Sequence, residues 1–100
     1  DMVKVIVERR FRRIEGVKAE SLLAEMRSKA LRARGYIGGE TLSSLEDPSV
    51  LITISTWVDE ACWRDWTSSS PRQEVANKIG PLMVSPEKVS IFRVVSGSGA

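Results

Sequence analysis

Residues 55–66, STWVDEACWRDW, hold all three tryptophans of a chain that contains no histidine. Without imidazole there is no Ser-His-Asp or Cys-His pair, and no histidine ligand for zinc, non-haem iron or haem. The one cysteine, Cys62, has no histidine to activate it and reads as a small packing residue. A lone thiol forms no internal disulfide, which suits a reducing compartment. What is left for chemistry is indole, guanidinium, phenol and carboxylate. The candidates are Trp57, Trp63 and Trp66, the arginines of ERRFRR (Arg9, Arg10, Arg12, Arg13), Tyr36, Arg93 and Glu40. No metal site and no cofactor is expected from this set.

Each candidate also has a plain structural reading. Trp63 and Trp66 are three apart and share a helix face, and Trp57 sits just before that helix, so core packing is the first expectation. Trp66 differs because three serines and a helix break follow it. The local chain there can open or close. An indole wall suits a flat aromatic ligand, and its N–H can hold a ligand oxygen. Strand alternation puts Arg9, Phe11 and Arg13 on one face and Arg10 with Arg12 on the other. Either set could stabilise an anion. The commoner fate of such a run is a solvated strand end, or pairs with glutamates. RRFRR is too short, and a net charge of +2 too small, to imply nucleic acid.

The elements that must position these residues follow from periodicity. Residues 2–13 alternate, with Val3, Val5, Val7 and Phe11 on one parity, as in a strand. Beyond Gly16, Ala19, Leu22, Leu23, Met26, Ala30 and Ala33 mark one face of a helix over 17–33. Residues 34–45 read as a second strand with Tyr36, Leu42 and Leu45 as anchors. Gly38 and Gly39 within it suggest a bulge or a close backbone approach. Residues 46–49 are turn chemistry, and 50–58 form the clearest strand, apolar on both parities and so covered on both faces. Asp59 can cap a helix reaching about Thr67. Ser70 before Pro71 restarts it, with Gln73 placed for a capping box, and it ends near Gly80 and Pro81. Residues 87–95 are the last strand.

This order predicts an α+β, ferredoxin-like βαββαβ domain over 1–95, with one antiparallel sheet and helices on one face. Residues 96–100, SGSGA, read as a flexible tail. The uncovered sheet face predicts a homodimer, which also suits a hundred-residue chain with a modest core. No apolar run approaches a membrane span and nothing reads as a signal peptide, so no membrane association and a cytoplasmic location are expected.

GYIGGETLSSLEDPSVLITISTWVDEACWRDWTSSSPRQ resembles the antibiotic biosynthesis monooxygenase superfamily of dimeric α+β barrels. The features that carry the resemblance are the Asp47-Pro48 turn, Thr56 and Trp57 ending the third strand, Glu60, Ala61, Trp63 and Trp66 on the helix, and the restart at Ser70 and Pro71. The similarity spans about residues 2–95. It implies a cofactor-independent monooxygenase acting on a small aromatic phenol or quinol in a pocket between helices and sheet. There the deprotonated substrate itself donates an electron to oxygen. On this reading Trp66 and Arg9 are the catalytic candidates, as pocket wall and anion stabiliser. Trp66, Trp57, Tyr36, Phe11 and Arg93 would contact ligand. The haem-degrading branch instead uses an asparagine, a tryptophan and a histidine at positions that fall on Arg9, Trp66 and Ala76. Only the tryptophan is present, and neighbouring Asn77 is no imidazole, so haem degradation is not expected. The alternative is a non-catalytic dimeric binding or stress-response module that keeps the pocket without turnover.

Overall fold

Alternating valines make β1 (Val3–Arg10) the spine of the molecule: Val3, Val5 and Val7 are buried on one side while their neighbours face the other way. The computed structural model describes residues 1–97. β1 pairs antiparallel with β3 (Val50–Trp57) on one side and β4 (Lys88–Arg93) on the other, and β2 (Tyr36–Ser43) pairs antiparallel with β3. The strand order is β2-β3-β1-β4, the ferredoxin-like arrangement. α1 (Gly16–Ala30) follows β1. α2 (Glu60–Thr67) and α3 (Ser70–Ile79) together follow β3.

α1 buries Ala19, Leu22, Leu23, Met26 and Ala30, the stripe its spacing predicts. It closes at Ala30 rather than at 33, because the amides of Arg32 and Ala33 turn back to the carbonyls of Lys29 and Ala30. Gly35 then turns the chain with φ of +81°, a left-handed conformation that other residues adopt at a cost. A Cβ there would also collide with the Cys62 side chain. Asp59 caps α2 by accepting from the Cys62 amide at 2.9 Å. The cap of α3 is Ser69, one residue earlier than expected, accepting from the Arg72 amide at 3.4 Å. Gln73 makes no capping box; its side-chain amide donates to the Thr67 carbonyl at 2.9 Å and splints the junction between the two helices.

Three further expectations change. β1 stops at Arg10, not at 13, because the Phe11 amide donates to Ser49 and the Arg12 amide to Leu82. Arg13 therefore lies in a short 3₁₀ turn and shares no strand face with Arg9. Leu45 anchors nothing and is fully exposed beyond β2. β3 is covered by helices on one face only. On the open face the register sets Ile6 beside Ile54 and Leu42 beside Ile52, with the isoleucines half-buried and Leu42 and Phe92 exposed. Among the described residues no helix is long and apolar enough to cross a membrane. The last three residues of the SGSGA tail lie outside those described.

Candidate functional site

A cavity of about 50 Å³ lies between α1, the α2–α3 pair and the helix-covered face of the sheet. Arg9, Tyr36, Trp57, Trp63, Trp66 and Arg72 are among its lining residues. Its two ends differ in chemistry.

One end is aromatic. Trp57, the last residue of β3, is fully buried and gathers the others around it. Its ring meets Tyr36 edge-on at 5.2 Å and Trp63 at 5.9 Å, and stacks on Trp66 at 6.3 Å with 30° between planes. Its indole N–H donates to the Ser55 hydroxyl at 2.9 Å, so the buried polar atom is satisfied. Tyr36 reaches this cluster because the β2–β3 register shifts between Tyr36 and Gly38. Gly39 permits its hydroxyl to lie close, since a Cβ at 39 would sit 2.8 Å from both the Tyr36 Oη and the Ile54 carbonyl. Burial pushes the Tyr36 phenol above its ordinary pKa, and nearby Arg27 partly offsets this.

The other end is cationic. Arg9 continues the inward parity of Val5 and Val7, and only 3% of it is exposed. Its guanidinium pairs with Glu87 at 3.0 Å and reaches Thr53 Oγ1 at 3.4 Å and Met26 Sδ at 3.9 Å. Arg72, 7% exposed, enters from α3 on the face that also buries Val75 and Ile79. It lies over the Trp63 ring at 5.5 Å and stands 3.8 Å from the second Glu87 oxygen. Burial pulls both guanidinium pKa values down, and Glu87 works against it; at Arg9 the Arg72 charge lowers the value further.

On the outer side of the α2–α3 junction runs an open groove of about 240 Å³, lined by Arg34, Cys62, Asp65, Ser69 and Pro71 among others. Trp66 borders both this groove and the internal cavity.

Of the residues singled out from sequence, Arg9, Tyr36, Trp57, Trp63 and Trp66 come together at the cavity. Phe11 and Arg93 lie outside its lining. Phe11 is buried at the far end of β1 against Met83, and Arg93 is exposed at the end of edge strand β4. Arg10 pairs with Asp47 at 2.6 Å and Arg12 donates to the Pro81 carbonyl at 2.5 Å, both at the surface. Glu40 is exposed at the cavity rim. Sequence reasoning missed Arg72 and Glu87. Arg72 was findable: residues 72, 75 and 79 share one helical face, so an arginine there had to point inward. Glu87 carried no such signal: it was expected at the start of a strand over 87–95, whereas β4 runs only Lys88–Arg93 and Glu87 precedes it. A haem group does not fit these residues. Ala76 packs partly buried against the core and offers no donor, and no imidazole exists elsewhere.

A family model for antibiotic biosynthesis monooxygenase matches residues 2–78. No curated protein matches the sequence. Similar solved structures include SnoaB, a cofactor-independent oxygenase from Streptomyces nogalater, at TM-score 0.88 and 15% identity, covering 97% of this chain and 96% of that one. Rv0793 from Mycobacterium tuberculosis matches at TM-score 0.88 and 15% identity over 99% of this chain and 100% of its own. A conserved protein from Methanosarcina mazei Go1 matches at TM-score 0.86 and 17% identity, covering 92% and 91%. At such identities these likenesses are ones of fold, whereas the family model matches the sequence itself over most of its length. The chain belongs to the antibiotic biosynthesis monooxygenase family.

Proposed function

We propose that the protein is a metal-free monooxygenase that oxidises a small phenol or quinol with molecular oxygen in the cavity between helices and sheet. The observation that carries this reading is that a buried guanidinium, Arg9, and a stack of indoles line one cavity. Arg9 favours the phenolate, because a cation held in a low-dielectric interior stabilises an adjacent anion more than it does in water. The phenolate passes one electron to oxygen. Superoxide and the phenoxyl radical then combine at a ring carbon, giving a hydroperoxide. Loss of water from C–OOH and its C–H leaves a C=O, so one oxygen atom enters the product and the other leaves as water. Trp57 and Trp66 hold the ring flat and keep bulk water out. This role for the SnoaB-like fold is consistent with that protein's description as a cofactor-independent oxygenase.

The cavity volume of about 50 Å³ is far below the roughly 300 Å³ or more of ordinary ligand pockets. A ring enters only if a wall moves. Trp66 is the wall with somewhere to go, since it also borders the outer groove. The open sheet face with Ile6, Ile52 and Ile54 pairs with a second copy of the chain, forming a homodimer; a monomer by sedimentation at micromolar concentration defeats that part of the reading. The alternative is a binding module that keeps the same cavity without turnover.

Oxygen uptake with a panel of naphthols, anthrones and quinols separates the two. Uptake by the wild type that drops at least about tenfold in Trp66→Ala, with unchanged secondary structure, supports the oxygenase. No uptake from any compound, with ligand still quenching tryptophan fluorescence, leaves the binding module.

A further inference from the structure

Glu87 is one carboxylate facing two buried guanidiniums, and it serves them unequally: Arg9 at 3.0 Å, Arg72 at only 3.8 Å. The pair of arginines and one glutamate therefore sums to one excess positive charge in the interior. The Arg72 Nε–H is in addition buried with no hydrogen-bond partner among the described residues, the only such side-chain atom there. A buried donor left unmade costs free energy, and a buried cation without full pairing costs more. The Arg72 Cζ lies over the Trp63 ring at 5.5 Å, and Arg72 is one of the residues that line the cavity. Arg27 also lines the cavity, adding to its positive character, while its own N–H is occupied by Thr41 at 2.9 Å.

We propose that Arg72 is the receptor for a carboxylate carried by the aromatic ligand, so that the natural ligand is an aryl carboxylic acid rather than a neutral phenol. A carboxylate matches the planar edge of a guanidinium with two parallel hydrogen bonds. Bound through the Nε side, it would satisfy the orphaned donor and cancel the one excess charge together. The aromatic ring would then lie toward Trp57 and Trp66, with Arg9 left for the phenolic oxygen. This rests on the reading of the cavity as a ligand site. It does not rest on turnover.

The test uses benzoate and its neutral isostere benzamide, the smallest rings that differ in this one charge, with NMR titration as the readout. Neither has a phenol to oxidise. Expected is that wild type binds benzoate at least about tenfold tighter than benzamide at low salt. The Arg72 Nε–H cross-peak should shift with benzoate and not with benzamide. Arg72→Gln should abolish the preference. If Arg72→Gln does not fold, the cross-peak on wild type still decides. Equal affinities, no binding of either ligand, an unmoved Arg72 cross-peak, or a preference that survives in Arg72→Gln each overturn the proposal. The two readings fail separately. Oxygen uptake from naphthols together with equal benzoate and benzamide binding leaves the oxygenase and defeats the carboxylate receptor. Tight benzoate binding with no uptake from any phenol does the reverse.

Discussion

The aromatic end of the cavity and its arginine end are built on opposite terms. Around Trp57 the rings pack edge-on or stacked, and the one indole N–H buried deepest has its acceptor at 2.9 Å. Among the described residues, no fully buried side-chain polar atom at that end lacks a partner. Around Arg72 a donor is unmet and two cations share a single carboxylate. Apolar burial of this kind is worth about 25 cal/mol per Å² of surface removed from water, so the aromatic end stabilises the fold. Desolvating guanidiniums costs free energy, so the arginine end draws on that stability. Where a small domain carries an interior cation that packing does not require, the cation points to something outside the chain. The aromatic end gives a ligand its shape, and the arginine end gives it its charge.

The largest effect should come from removing the centre of the aromatic end. Trp57→Ala deletes a side chain with no exposure and three ring partners, and is expected to cost about 3–5 kcal/mol in chemical denaturation, enough to unfold much of the protein at 37 °C. A loss below about 1 kcal/mol would mean that the rings re-pack and that the aromatic end is not the keystone. Glu87→Gln comes next, at the opposite end. It leaves two guanidiniums buried without their carboxylate. Breaking a buried pair typically costs about 3–5 kcal/mol. Glu87 is 30% exposed, so water screens the arginines and about 2 kcal/mol is expected. The loss should be partly recovered by adding benzoate, which wild type shows less strongly. Arg72→Met should behave differently, changing stability by less than about 1 kcal/mol, because it removes the unmet donor together with the excess charge. A cost for Arg72→Met as large as that for Glu87→Gln would make Arg72 a structural residue and erase the contrast between the two ends.

The aromatic end was also the legible one. Val3, Val5 and Val7 announce a strand by period, the α1 stripe announces a helix, and the tryptophans sit on a strand end and a helix whose cap, Asp59, is written in the sequence. Local rules fixed these, and the family resemblance added the expectation that Trp66 borders a cavity. The arginine end was not legible in the same way. ERRFRR reads as a surface run, and three of its arginines do lie at the surface; Arg9 alone turns inward because it shares the parity of Val7. Its partner Glu87 is 78 positions away, just before β4. Only the fold brings them together, through the pairing of β1 with β4. The strand overrun to Arg13 has a similar origin. Alternation continues past Arg10, but the Arg12 amide is claimed by Leu82, a contact no local pattern encodes.

The smallest effect tests whether the aromatic end is as indifferent to charge as its packing suggests. The helix that carries Trp63 and Trp66 begins on the Asp59 carboxylate, and the Cys62 backbone N–H holds that carboxyl below its ordinary pKa. A carboxyl whose folded pKa is depressed stabilises the fold fully above its unfolded value, near 3.9, and loses that contribution as pH falls through the lower folded value. Asp59→Asn keeps a good capping oxygen that does not titrate. The melting temperature of wild type relative to Asp59→Asn should therefore be flat from pH 7 to about pH 5 and fall below about pH 4. Parallel acid limbs for the two proteins would show that the cap carries no proton linkage and that acid sensitivity enters elsewhere.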